Sequence, residues 1–508
     1  MRPFPQVASL LPAPPDGRAA ALMRRMSAAL AQGGGPALGL GWGVGLCLAL
    51  SGCASLAPAG SGVPAVAVPS AWAAAGPVGQ GGTAGAAATP LAQWWQGFGD
   101  PDLTALVERS LAANTSVRAA QAALQQARAQ VDVQAAGLQP GVRASASAQR
   151  SRAANSTGNS FQAGFDASWE PDVFGRLGSG VRASEADARA AEASLADVQV
   201  SLAAEVAVNY IELRGLQQRL AIARSNLASQ QETLQIAQWR LQAGLATSLV
   251  SEQARAAAEQ TAAQIPSLEA SLAQSRYALA VLTGQPPGAL DAALAAAAPV
   301  PQPGAALALA IPAETLRQRP DVRAAEQRIA AALQRVSQAD AARYPSFSLS
   351  GSVGLRALTL GALTGGGAVT SALLGSVSVP LLDGGAARAQ VRVQEAALEQ
   401  ARVAYEAAVL TALQDVENAL AALQGDRDRL TRLQAAAEAA GNAALLAQQR
   451  YRSGLIDFQS VLETQRTLLS TQESQSITAT SVAADHVRLY KALGGGWQAQ
   501  PADALARR

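Results

Sequence analysis

The chain has 508 residues, a formal net charge of +2, 49% apolar residues and only 4% aromatic ones. No basic stripe stands out, which argues against nucleic-acid binding, because counterion-release binding needs clustered Lys and Arg. The single histidine, His486, leaves almost no room for a His-based metal site or catalytic triad, and abundant Ala with dispersed charge suits long, closely packed helices better than a large enzyme core.

The N-terminus reads as a secretory signal. Arg24 and Arg25 form a positive region ahead of an apolar run at 37–50. That run is too short to cross a bilayer, which takes ~20 residues. It ends in Leu50-Ser51-Gly52-Cys53, which resembles a bacterial lipobox. On that reading residues 1–52 are removed and Cys53 carries an N-acyl diglyceride. An ordinary signal with an incidental cysteine is the alternative. Met23 is a second possible start, since it leaves a signal of ordinary length, and Ala54 in place of an acid after the cysteine implies sorting to the outer membrane. Cys47 would leave with the signal, so disulfides play no part. Residues 53–90, rich in Ala, Gly and Pro, form a flexible tether.

From Trp94 to Gly495 the pattern is helical apart from four strand-like segments, and it occurs twice. The first repeat covers 91–283 and the second 312–495, with a Pro/Gly/Ala linker at 284–311 and an unstructured tail at 496–508. Val117-Arg118-Ala119-Ala120 recurs as Val322-Arg323-Ala324-Ala325, Pro140 as Pro345, and Gly284 matches Gly495. Each copy runs from a short and a longer helix through a strand hairpin (141–170 and 345–380) into a very long helix, a tight Gly turn and a returning helix. In the strands Phe161, Ala163, Phe165, Ala167 and Trp169 alternate with Gln162, Asp166 and Ser168, and Phe347, Leu349, Val353 and Leu355 alternate with Ser348, Ser350, Ser352 and Arg356. About ten residues with one apolar and one polar face fit a tilted transmembrane strand between lipid and water. Four half-buried strands of a soluble sheet fit the same pattern. A barrel must leave no edge in lipid, and four strands cannot enclose a lumen, since small barrels need ~8. Several chains must then share one barrel.

Helices over 176–242 and 385–452 would be rods of ~100 Å. Leu213, Leu220, Leu227, Leu234 and Leu241 recur every seven residues as a coiled-coil seam, and Val409, Leu413, Val416, Leu420 and Leu423 form a three-four stripe. Gly244 and Gly454 supply the left-handed position at the rod ends. Helices at 115–139 and 247–283, stacked end to end, would run beside the first rod, with a kink expected at Pro266.

Several motifs in order resemble the TolC-like outer-membrane channel family, in its efflux-lipoprotein branch of the OprM/NodT type. They are Trp94-Trp95 with Asp100-Pro101, Trp169-Glu170-Pro171-Asp172-Val173-Phe174-Gly175-Arg176, Tyr277-Ala278-Leu279-Ala280-Val281-Leu282-Thr283-Gly284, Leu316-Arg317-Gln318-Arg319-Pro320-Asp321-Val322 and Tyr451-Arg452-Ser453-Gly454-Leu455. The resemblance implies a homotrimer with a 12-stranded barrel in outer-membrane lipid and a tunnel of 12 helical columns. It also implies a periplasmic adaptor and an inner-membrane, proton-driven transporter of the RND type as partners. The chain would be a passive exit duct, without catalysis or cofactor. Adaptor docking falls on Ala243, Gly244 and Leu245 and on Ser453, Gly454 and Leu455. An acidic constriction falls on Glu463, with Ser460 where some members carry another acid, and Asp457 able to substitute.

Each candidate has a plainer reading. Glu463 also suits a solvated helix face or a partner for Arg466, and Arg450 and Arg452 suit surface charges as well as a gate salt bridge. Trp169 and Phe174 suit an interfacial anchor or ordinary packing. Asp172 and Asp383 are read as helix caps and His486 as a helix-surface residue. A type I secretion channel and a periplasmic coiled-coil lipoprotein are the competing functions.

Overall fold

The structure is a computed structural model that describes residues 63–64, 66, 72, 91–153, 156–303 and 313–496. The signal segment, Cys53, most of the tether, residues 154–155, residues 304–312 and the tail beyond 496 lie outside the described residues. The chain divides into two units, 1–60 and 61–508, and every described residue belongs to the second.

The two repeats have matching elements. A 3-10 turn at Leu91–Phe98 leads into α1 (Pro101–Ala113) and α2 (Thr115–Ala136), the hairpin β1 (Gly141–Ala153) and β2 (Ser156–Trp169), the rod α3 (Arg176–Gln242) and the returning α4 (Ser248–Leu282). The second copy has a 3-10 turn at Ala313–Gln318, α5 (Pro320–Ala341), β3 (Ser346–Ala357), β4 (Val369–Ser378), α6 (Ala386–Arg452) and α7 (Phe458–Ala492). Both rods have 67 residues, both returning helices 35, and α2 and α5 have 22 each. At 1.5 Å per residue each rod is ~100 Å long.

Local chemistry sets the helix starts. Asp100 accepts from the Leu103 N–H at 3.1 Å ahead of Pro101, and Asn114 accepts from the Ser116 N–H at 2.7 Å. Asp172 accepts from Leu177 and Gly178, and Asp383 from Gly385 and Ala387. The two aspartates therefore do cap the rods, satisfying N–H groups that a helix leaves open at its start.

The sheet is antiparallel in the order β1-β2-β3-β4, and the β2–β3 pairing, Phe161↔Ala357 to Trp169↔Leu349, joins the repeats. The helices follow the same order. α2 and α4 pack on α3, α3 packs on α5 and α7, and these pack on α6. Buried alanines occur on both helices of the α3–α5 contact, among them Ala183, Ala186 and Ala190 on α3 and Ala324 and Ala331 on α5. Small side chains let the backbones come close, and polar pairs such as Arg182–Gln334 and Arg189–Gln327 flank the contact.

Each broken column is closed where two helix ends meet. Asn114 Nδ2, just ahead of α2, donates to the Leu282 carbonyl at the end of α4 at 2.8 Å. Arg319, just ahead of α5, does the same for α7, donating to the Ala492 carbonyl at 2.7 Å. Its guanidinium also pairs with Asp321 at 2.8 Å and Asp415 at 3.1 Å. A cation at a helix C-terminus meets open carbonyls and the negative end of the helix dipole. The Arg-Pro-Asp motif is thus a splice between two helices and α6. In the first repeat the buried Arg214 binds the Asp102 carboxylate, the Tyr210 hydroxyl and the Ala296 carbonyl, holding α1 and the linker on α3.

Several expectations are corrected. The left-handed glycine matching Gly284 is Gly494, with φ 75°, because it stands as far from the tip Gly454 as Gly284 does from Gly244. The strands of the first hairpin have 13 and 14 residues, longer than ten. The leucine heptad holds only at its start. Leu213 and Leu220 are buried, Leu227 and Leu234 half-buried, and Leu241 exposed. A strict seven-residue period drifts by ~20° per heptad on a straight helix. The buried seam below Leu220 is instead Ala223, Asn226, Gln230, Thr233 and Ala237. The α6 stripe holds, with Val409, Val416, Leu420 and Leu423 buried and Leu413 half-buried against them.

Replacing Arg319 with Met should lower stability by about 2–4 kcal/mol, since Asp321, Asp415 and the Ala492 carbonyl lose a shared donor. Arg319→Lys should recover only part, because one ammonium cannot fork to both carboxylates. Thermal unfolding in detergent measures both.

Candidate functional site

The sheet has two chemically distinct faces. Val142, Ala144, Ala146 and Ala148 of β1 share one with Phe161, Ala163, Phe165, Ala167 and Trp169 of β2, with Phe347, Leu349, Val353 and Leu355 of β3, and with Val369, Leu373 and Val377 of β4. The other carries Arg143, Ser145, Gln162, Asp166, Ser348, Arg356 and Ser376, with Ser145 Oγ donating to Asp166 at 2.8 Å and Ser348 and Ser376 sharing a 2.7 Å hydrogen bond. Leu374 on β4 interrupts this polar face. Phe165, Val353, Leu373 and Val377 are exposed, and every residue of β4 is exposed. A soluble half-buried sheet would cover its apolar face, and this one does not.

Aromatics gather where strands become helices. Phe174 stacks on Tyr344 at 5.1 Å and on Phe347 at 6.4 Å, and Trp169 Nε1 donates to the Leu138 carbonyl at 2.9 Å. Arg176 binds both oxygens of Glu170, at 2.8 and 2.9 Å. The pattern suits an interface, where an aromatic ring keeps a polar partner.

At the far end of the rods the two Gly turns have one geometry. Gly244 and Gly454 take φ of 73° and 74°. The Gly244 N–H donates to Leu241 and the Leu245 N–H to Arg240; Gly454 and Leu455 do the same to Tyr451 and Arg450. These paired bonds satisfy the last helical carbonyls and need a left-handed residue, which glycine adopts without strain. Leu245 and Leu455 end up 77% and 74% exposed, so each tip presents an apolar side chain to solvent. Ala243 and Ser453 are the residues just before the glycines. Above the tips, the Arg240 guanidinium lies 4.4 Å from the Tyr451 ring centroid, and Tyr451 meets Phe458 edge-on.

The charged candidates separate. Asp457 caps α7, accepting from both the hydroxyl and the backbone N–H of Ser460, and these bonds hold its carboxyl below the usual range. Arg452 is ion-paired with Glu232 of α3, so its partner is a residue the sequence did not single out. Arg450 and Glu463 are exposed.

The sequence also missed a polar seam between α3 and α7. Asn226 donates to Gln472 at 2.8 Å, and Gln465 to Thr233 at 3.0 Å. Gln230 and Gln264 line an adjoining cleft of about 450 Å³ with Arg466 and Glu473. The three-four spacing of Asn226, Gln230 and Thr233 was the available signal. His486 is not the helix-surface residue expected from the sequence. It is 3% exposed, with Nδ1 at 2.7 Å from the Val482 carbonyl and Nε2 at 2.7 Å from the Arg427 guanidinium. Arg427 can only donate, so Nε2 accepts and Nδ1 carries the proton. Among the described residues no group of three His, Cys, Asp or Glu could hold a metal, and no helix is long and apolar enough to cross a membrane.

Long paired rods crowned by an uncovered sheet with one apolar face define a trans-envelope channel. The outer membrane efflux protein family matches residues 106–285 and 311–495. The pyoverdine export outer membrane protein OpmQ of Pseudomonas putida is 35% identical over 481 residues, covering 89% of this chain and 97% of the relative. Among solved structures, the outer-membrane channel OprN superposes with a TM-score of 0.78 at 35% identity, covering 86% of this chain and 99% of that one. The open state of the Neisseria gonorrhoeae MtrE outer membrane channel gives 0.77 at 28% identity, with 86% and 97% covered. The chain belongs to the outer membrane efflux protein family. It is an outer-membrane channel and not an enzyme.

Burial, opposed by the bond to Val482 and reinforced by Arg427, holds the His486 pKa below its ordinary 6.5. The unfolded chain then binds a proton that the folded chain refuses. Stability from this site is complete above pH 6.5 and falls as pH drops from 6.5 toward the folded value. Unfolding midpoints between pH 7 and 5 should decline in the wild type and flatten in His486→Gln, whose amide oxygen still accepts from Arg427.

Proposed function

We propose that the protein is the exit duct of a tripartite efflux pump, assembled from three copies. Each chain would contribute four strands to a 12-stranded barrel and four helical columns to a 12-column tunnel. The observation that carries this reading is the shared order of strands and columns. β1 stands with α2 and α4 at one edge, and β4 with α6 at the other. A backbone edge left open in lipid is costly, so β1 of one copy pairs with β4 of the next. The number three rests on the family resemblance.

In this reading the apolar face, with Phe161, Phe165, Trp169, Phe347 and Leu349, meets lipid, and the serine-rich face lines water. The exposed tips at Ala243–Leu245 and Ser453–Leu455 receive a periplasmic adaptor, which connects the duct to an inner-membrane transporter of the RND type. Glu463 forms the cation-attracting constriction, with Arg450 as a second gate residue. Asp457 and Arg452 support the tip through their bonds to Ser460 and Glu232. Cys53 carries the acyl anchor. The cargo is small molecules, as the relative named for pyoverdine export suggests.

Purified protein should run as a heat-modifiable trimer and give stepwise conductance in planar bilayers, and Glu463→Gln should reduce its cation preference. A monomer without conductance would defeat the duct. Separately, Cys53→Ala should abolish palmitate incorporation and delay maturation; labelled palmitate in that variant would rule out the anchor.

A further inference from the structure

We infer that Arg150 and Arg152 form a binding site for the phosphates of an outer-leaflet glycolipid. The inference rests on the reading that the four strands cross the outer membrane. β1 leaves the helical part at Gly141 and ends at the far tip of the hairpin, so residues 150–152 lie at the outer rim. Along its apolar face the series Val142, Ala144, Ala146, Ala148 continues without a break in period to Arg150 and Arg152. The neighbouring strand changes at the same level. Phe161 opposite Ala148 is the last apolar pair, and the next two same-face pairs are Arg150↔Asn159 and Arg152↔Thr157.

The height fits. Eight residues from Val142 to Arg150 span about 27 Å along the strand, or about 21 Å vertically at a tilt near 40°. The apolar band of such barrels is ~25 Å tall, so the two guanidinium groups sit where hydrocarbon gives way to headgroups. Both arginines are exposed, and neither has an ion-pair partner among the described residues. The sheet contains one acid, Asp166, which lies on the opposite face and is held by Ser145. Residues 345–380, loop included, contain no Asp or Glu.

Two unpaired guanidinium groups two positions apart on a strand stand roughly 7 Å apart. Each forks to two oxygens of a phosphate, the geometry that favours Arg over Lys. A glycolipid with two phosphates on its headgroup, lipid A in chemical terms, is the anion of matching charge and depth.

The test uses full-length purified protein and native mass spectrometry. The probes are bis-phosphorylated lipid A, dephosphorylated lipid A, phosphatidylglycerol and inorganic phosphate. Wild type should retain bis-phosphorylated lipid A. The double variant Arg150→Gln, Arg152→Gln should bind it roughly tenfold more weakly, the scale of a lost charge-assisted pair. Arg356→Gln, on the water-lining face, should bind as wild type does. Should the double variant not assemble, the pair Arg150→Lys, Arg152→Lys carries the test, with about threefold weaker binding from lost bidentate geometry. Equal binding by the glutamine pair, or by the lysine pair where only that pair assembles, overturns the site. So does equal retention of the dephosphorylated lipid or phosphatidylglycerol, or full displacement by millimolar inorganic phosphate. Bilayer conductance recorded on each variant tests the channel separately: lipid binding fails alone if the site is wrong, and wild-type conductance fails if the duct is wrong.

Discussion

An antiparallel sheet in lipid cannot leave its edges open, and the architecture of this channel follows from that constraint. β1 and β4 each present an unpaired row of N–H and C=O groups, which hydrocarbon cannot satisfy. The helical wall reproduces the strand order, so its open edges lie below the open edges of the sheet. Closure of the barrel and closure of the tunnel are then one event, in which the same neighbouring copy supplies both partners. The exposed apolar side chains on α6, such as Val393, Val403 and Leu410, and those on α2 and α4, such as Val133, Val281 and Tyr277, lie on those edge helices.

Within the chain, two kinds of packing divide the labour. Near the linker and toward the sheet, alanine-lined seams and the Arg214 and Arg319 clamps bind linker, helix ends and rods together. Toward the tips, the α3–α7 contact uses Asn226, Thr233, Gln465 and Gln472 in place of leucine. Side-chain hydrogen bonds contribute only about 1 kcal/mol each once exchange with water is counted. A seam of this type holds register while resisting separation less than a close-packed apolar one. The lower rods are thus held both by this polar seam and by an apolar cluster nearer the tips, which includes Ala237, Ala254, Tyr451, Phe458, Val461 and Leu462.

Duplication explains the matched lengths, and the differences between the copies carry information. The first returning helix contains Pro266 and the second none. The first helix splice uses a neutral asparagine, and the second uses an arginine that also reaches α6. That arginine joins three helices and not two, because the α5/α7 column has a neighbour on both sides within the chain, α3 and α6, whereas the α2/α4 column packs on α3.

The sequence by itself determined whatever depends on local period and local chemistry. The rod from Arg176 to Gln242, the caps at Asp172 and Asp383, the glycine turns and the two-faced strands are written in neighbouring residues, since side chains alternate across a strand and helix ends need particular donors and acceptors. Tertiary structure decided what depends on neighbours distant in the chain. It rotated the lower leucines out of the seam and buried His486 against Arg427. It also assigned the left-handed turn to the first of three consecutive glycines and ordered the columns beneath the strands. A helix carries no local record of which of its faces another helix will cover, because burial belongs to the pair and not to either sequence alone.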